Sequence, residues 1–214
     1  MLDQIDSYFN KPKLLHETAQ GLSHHLKINS DSWGFTLWDG NDISFNPANI
    51  VEDNERLLLE VQNDLLNNRI TTARPKKFEA IDNVILLQGI KESIDRDIGA
   101  VSSQLDYCSI GSNSTSEAES QTDLQAEFTD SAYARKRFST QGSRSRVNQT
   151  MKLGMLWDDS SFDATPRTIK EAGVNWAISG STKCHARVVS TDFVLDAGDL
   201  FVVQINELQE NGTL

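Results

Sequence analysis

Cysteine, long apolar runs and positive charge are what this chain has least of. There are two cysteines, Cys108 and Cys184. No Cys-x-x-Cys and no His-Glu-x-x-His occurs, so neither of these zinc-binding motifs is present. Both cysteines fall in segments expected to be strands. A disulfide between them requires Cβ atoms within a few ångströms; as free thiols they would be buried like small hydrophobes, which is the preferred reading. No stretch approaches the roughly 18 consecutive apolar residues of a membrane span. The start, Met-Leu-Asp-Gln-Ile-Asp, lacks a basic segment followed by an apolar one, so no signal peptide is expected. The sequons at Asn113, Asn148 and Asn211 are accordingly read as chance matches.

Lys and Arg total 20 against 31 Asp and Glu, for a net charge of −11. Such a surface does not release phosphate counterions, which argues against non-specific DNA binding, and it does not suit an anionic membrane surface. Apolar residues at 38% and aromatics at 7% of 214 residues are lean. The length suits one domain with an extension, or two small domains.

The chain divides near residue 80. Leu14 to Lys27 carries Leu14, Leu15, Ala19, Leu22 and Leu26 near helical spacing, with His16, His24 and His25 among them. Trp33 to Phe45 is expected to be a loop or short hairpin. Asn46 is a plausible N-cap with Pro47 at the first helical position. Ile50, Leu57, Leu58, Val61 and Leu65 then recur on one helical face, and Asn67-Asn68 suits its end. With few apolar partners nearby, this stripe is expected to pack on the C-terminal domain or on another chain. Thr71 to Lys77 reads as a polar connector and Val84 to Leu87 as a strand. Ile90, Ile94 and Ile98 then mark a short helix closed by Gly99.

Beyond residue 101 the period becomes two. Met151, Leu153, Met155 and Trp157 share a face, as do Phe201, Val203 and Ile205; Cys184, Ala186 and Val188 oppose Lys183, His185 and Arg187. Alternation between polar turns indicates half-buried antiparallel strands. The expected fold is mainly β: an antiparallel β-sandwich over 81–214 with an N-terminal helical arm over 1–80, α+β taken together.

No chemistry-bearing motif stands out. Gly111-Ser-Asn-Ser-Thr lacks the Walker lysine and the Rossmann spacing. His16 and His24 are too far apart to chelate one ion without a third group. Cys184 and His185 are strand neighbours pointing to opposite faces, so they are not a nucleophile–base pair, and His185 is expected to face solvent or a partner. The carboxylate pairs Asp158-Asp159, Glu117 with Glu119 and Asp95 with Asp97 sit in turns and polar segments, a weak basis for glycosidase chemistry. No catalytic, cofactor or metal residue is assigned. The basic residues Arg135, Lys136, Arg137, Arg144 and Arg146 form either a solvated strand face or a contact with an acidic subunit.

Several pieces nevertheless come in a suggestive order. Gln88-Gly89 and a short helix precede the strand Leu105 to Ile110, which ends in Gly111. A Ser/Thr/Asn/Glu loop follows, then Asp123-Leu124 with Glu127, Thr168 to Val174, His185-Ala-Arg187 and a closing strand, Leu200 to Leu208. Over about residues 84–208 this order resembles a β-sandwich domain of tail, neck and fibre proteins of tailed viruses. The chain departs from it where a Gly-x-Gly turn often follows the first strand; here it is Gly111-Ser112-Asn113. The resemblance implies a non-enzymatic virion structural protein of the bacteriophage type, assembled in the host cytoplasm as a symmetric homo-oligomer. Its partners would be copies of itself and other virion proteins, with no specific nucleic acid, membrane or cofactor. Glu171, in a strand next to Gly173, would cap a turn or pair with an arginine such as Arg187 rather than act in catalysis. The expected oligomer or partner contacts are Ile50, Leu57, Leu58, Val61, Leu65, Arg135 and Arg137. The alternative is a capsid decoration or receptor-binding adhesin using the loop Ser112 to Thr122; a wall or polysaccharide hydrolase is a third reading.

Overall fold

A computed structural model describes residues 32–40, 43–67, 69, 75–82, 85–97, 99–100, 104–130, 132–148, 150–158, 166–179 and 184–208. The expected Leu14–Lys27 helix with its histidines, and Asp159, Lys183 and Asn211, lie outside them. The strands are β1 (Ser32–Asp39), β2 (Pro75–Asp82), β3 (Tyr107–Gly111), β4 (Lys136–Arg137), β5 (Gly142–Val147), β6 (Thr150–Trp157), β7 (Arg167–Asn175), β8 (Cys184–Leu195) and β9 (Asp199–Leu208). The helices are α1 (Ile50–Leu66), α2 (Leu87–Asp97) and the single turn α3 (Phe138–Gln141).

The fold is mainly β, with two antiparallel sheets in a sandwich-like arrangement. One sheet has the order β2-β1-β9-β6-β5, the other β4-β3-β7-β8. Alternation explains the layer between them. Trp33, Phe35 and Leu37 of β1, Leu153, Met155 and Trp157 of β6, and Phe201, Val203 and Ile205 of β9 join Cys108, Ile110, Ala172, Val174, Ala186 and Val188 in one buried cluster. The faces read from the sequence for β6 and β9 are those observed.

The expected division at residue 80 is not how the described residues are arranged. Ser32–Asp39 is not a loop or hairpin: it pairs along its whole length with β9 and lies between β2 and β9. Pro75 to Lys77 opens strand β2 rather than ending a connector. Of the expected strand Val84 to Leu87, Ile85 makes an isolated bridge to Ala186 and Leu87 already begins α2.

Helix α1 begins as its sequence suggests. The Asn46 side chain accepts a hydrogen bond from the Ala48 amide at 3.0 Å, and Pro47 opens a 3-10 turn that runs into the helix. Its stripe does not wait for another chain. Ile50, Leu57, Leu58 and Val61 are buried against Trp38 and Val202, with Phe78, Leu156 and Leu200 partly buried beside them. These are outward-facing positions of β1, β9, β2 and β6, so α1 is a third layer over the five-stranded sheet. Each such aliphatic burial contributes roughly 1.5–3 kcal/mol. Gly154 of β6 lets the helix start approach closely: a Cβ there would lie 2.8 Å from Val51 Cγ2.

Candidate functional site

The outer face of the four-stranded sheet carries a buried, hydrogen-bonded polar arrangement. Regular alternation turns Ser109 of β3, Glu171 and Gly173 of β7, and Arg187 of β8 away from the apolar layer. The segment after Gly111 covers them. Glu171 and Arg187 are both fully buried, and Arg187 Nε donates to Glu171 Oε2 at 2.8 Å. Glu171 also accepts from the backbone amides of Ala126 at 2.7 Å and Gln125 at 3.1 Å. The other two guanidinium nitrogens of Arg187 donate to Gln121 Oε1 at 2.9 Å and to the Thr115 carbonyl at 3.0 Å. Each charge thus has an opposite charge and several directed hydrogen bonds, the condition for tolerating a buried ion pair.

Two glycines make the covering possible. A Cβ at Gly111 would lie 2.5 Å from both the Ala126 carbonyl oxygen and Glu171 Oε1; one at Gly173 would lie 2.3 Å from Leu124 Cδ1. Leu124 thereby packs over Gly173 and forms a small cluster with Leu86 and Cys184. The Glu117 side chain accepts from the Val189 amide. In the expected carboxylate pair Glu117 and Glu119, one carboxylate is therefore tied to backbone, and the Glu119 carbonyl accepts from Leu87 N.

Arg135 lies beside this arrangement, not on a free surface. Its guanidinium is bracketed by Glu127, at 2.5 and 2.6 Å, and Asp123, at 2.9 Å, and donates to the Ala177 carbonyl at 3.0 Å. Burial pulls its proton affinity down, but the hydrogen bond and charge of Glu127, then Asp123, outweigh it and leave the affinity raised. Burial likewise raises the Asp123 carboxyl, against the opposing pull of Arg135. Asp123, Glu127, Phe128, Ala134, Arg135 and Ile178 are among the residues that line a pocket of about 340 Å³. Both carboxylates are committed to one guanidinium, so they do not stand across an open space as an acid–base pair would.

The basic cluster read from the sequence is dispersed. Arg135 is buried inward and so is not available as a partner contact. Lys136 donates to the Leu156 carbonyl at 2.9 Å, and burial lowers its proton affinity. Arg137, half-exposed, bonds Asp106 at 3.2 Å and the Tyr107 hydroxyl; Arg144 reaches the same Asp106 at 3.5 Å. Leu65 belongs to α1, but its side chain lies outside what the structure describes.

His185 corrects a sequence expectation. It is buried, with Nε2 3.4 Å from Glu207 Oε1 and its ring edge-on to Trp176. The cause is a β-bulge: Val174 pairs with Ala186, but Asn175 pairs with Cys184, leaving His185 as the extra residue. The same bulge separates Cys184 from Ala186 and Val188. Cys184 joins Leu86 and Leu124 on the outer face, whereas Cys108 lies between the sheets. Both are free, and burial pushes both thiols far above the usual range. Neither is expected to react with an aromatic disulfide reagent at pH 8 in the native protein. Both should react in full once the chain is unfolded in guanidinium, and a native reaction of one equivalent within minutes would contradict this packing.

Sequence reading missed a second buried polar cluster, under α1. Asn54 accepts from Trp38 Nε1 at 2.9 Å and donates to Gln204 at 3.2 Å. The signal was a polar residue inside an apolar stripe, four positions after Ile50 and three before Leu57. Among the described residues, no three His, Cys, Asp or Glu side chains gather as a metal site would require. No helix among them is long and apolar enough to cross a membrane. No family model, curated protein or solved structure matches the chain.

Proposed function

We propose that the chain is a non-enzymatic structural component of a tailed virus particle, in the neck, tail or fibre attachment, assembling as a symmetric homo-oligomer with other virion proteins. One observation carries this reading. The sequence pieces behind the resemblance converge on a single buried feature: Gly111 against Glu171 and Ala126, Leu124 over Gly173, Glu171 on Arg187, and Gly89 over His185. A Cβ at Gly89 would lie 2.2 Å from the His185 carbonyl oxygen, so even the α2 piece is fixed to the same sheet. The ordered motifs thus serve one packing scheme, as fold markers would. The receptor-loop alternative gains nothing from the geometry, because Thr115, Glu117 and Gln121 of that loop bond inward to β8.

The oligomer contact in this reading is not the α1 stripe, which its own sheet covers, nor Arg135. Antibody raised against the chain should label tailed particles released by the host that encodes it, at one level of the particle. The isolated chain should sediment above its monomer mass of 23.9 kDa at micromolar concentration. Recovery of the chain only from the unassembled fraction would defeat the virion assignment. A strict monomer would defeat the homo-oligomer.

A further inference from the structure

The edge strands of the two sheets are β2 and β5 in one and β4 and β8 in the other. Three of these edges are blunted. β4 is only two residues long. β2 opens on Pro75, carries Lys76 and Lys77, and shifts register opposite Leu37 and Trp38. On β8 the Val189 amide donates to Glu117, the Thr191 amide donates to Glu79 at 2.9 Å, and the Asp192 carbonyl accepts from Lys77. Short strands, proline, lysine, bulges and covering side chains are the means by which sheets avoid gaining a strand.

β5 is the edge left open. It has no proline and no bulge, and it pairs with β6 residue for residue from Gly142 with Met155 to Val147 with Thr150. The hairpin turn holds two residues, with Asn148 at φ 56°, so Val147 and Thr150 form a hydrogen-bonded pair. Bonded and non-bonded pairs alternate along an antiparallel ladder. The N–H and C=O groups of Arg144 and Arg146 therefore point away from β6. Both residues are exposed, and no hydrogen bond from another described residue reaches these backbone groups. Their side chains decide what can pair here. Arg144 reaches Asp106 at 3.5 Å, an aspartate it shares with Arg137 at 3.2 Å. Arg146 meets no carboxylate among the described residues. The open edge is thus a positive spot on a chain of net charge −11.

We infer that β5 is the docking site for an extended acidic segment of a partner protein, which adds a sixth strand to the five-stranded sheet. The backbone groups of Arg144 and Arg146 hold the segment's backbone, as in other strand additions. Carboxylates at alternate positions of the segment lie beside the two guanidinium groups. A second copy pairing β5 with β5 sets arginine against arginine, which opposes that pairing. An oligonucleotide meets the charges but not the ladder. The inference does not depend on the virion reading.

The test uses the full chain, isotope-labelled for NMR, and a short blocked peptide alternating glutamate with valine. Titration should move the Arg144 and Arg146 amide signals saturably at millimolar peptide and slow their hydrogen exchange. The double change Arg144→Gln with Arg146→Gln should weaken binding by about tenfold, because two cross-strand charge pairs are lost. Arg146→Pro removes an outward donor that β6 does not use, so it should abolish binding while the melting temperature holds. Equal binding of the peptide with lysine in place of glutamate would overturn the inference. So would equal competition by an oligothymidylate of the same charge, self-association through β5, shifts confined to other strands, or no saturable shift.

Discussion

Replacing Arg187 with methionine is expected to lower the free energy of unfolding by about 3–5 kcal/mol, the range for breaking one side of a buried ion pair. The reason is what stays behind. Glu171, fully buried, keeps its two backbone donors from Gln125 and Ala126 but loses the guanidinium it is bonded to, and Gln121 and the Thr115 carbonyl lose their donor. Typical domains are stable by only 5–15 kcal/mol, so such a loss consumes a large part of the total. The double variant Glu171→Gln with Arg187→Met should cost less than the sum of the two single changes, because no net charge remains buried. Urea unfolding of the four proteins measures this directly. Additive losses would mean that the two residues do not act as a pair, and a loss under about 1 kcal/mol would mean that Arg187 is hydrated rather than buried.

How much of this was legible in sequence depended on whether a strand had one buried face or two. β6 and the inner face of β9 show as alternation because their inner residues meet the apolar layer. β1 alternates too, with Trp33, Phe35 and Leu37 against Ser32, Gly34 and Thr36, but Trp38 on the outer face is also buried and breaks the pattern. A strand covered on both sides, next to Gly40, reads like a loop. The α1 stripe was visible, and the C-terminal domain was one of the two partners expected for it, but the residues it meets were not, since Trp38, Phe78, Leu156 and Val202 are scattered over four strands far apart in the chain. The Glu171–Arg187 pair could be guessed because both residues sit on alternating strands. The fate of His185 could not, because a bulge is a property of pairing and not of local composition. Arg135, read as a surface cation, proved to be claimed by two carboxylates eight and twelve residues earlier.

The α1 correction yields the second large effect. Leu58→Ala is expected to destabilise the chain by about 2–5 kcal/mol, as large-to-small changes in packed cores do. Leu58 is 3% exposed and its cluster includes Trp38, Ile50 and Val202, so the truncated side chain leaves a space that two sheet-borne residues and the helix cannot close without shifting. The neighbouring Asn54 resists such a shift, since moving α1 would stretch its bonds to Trp38 and Gln204. The concentration dependence separates the two roles conceived for this stripe. A helix buried in its own chain loses stability on Leu58→Ala by the same amount at 1 µM as at 100 µM. A stripe shared between copies would instead show a loss that shrinks as concentration rises, because mass action restores association. Denaturant midpoints at both concentrations therefore decide whether α1 belongs to the fold or to the assembly, and the packing of Ile50, Leu57, Leu58 and Val61 on the five-stranded sheet assigns it to the fold.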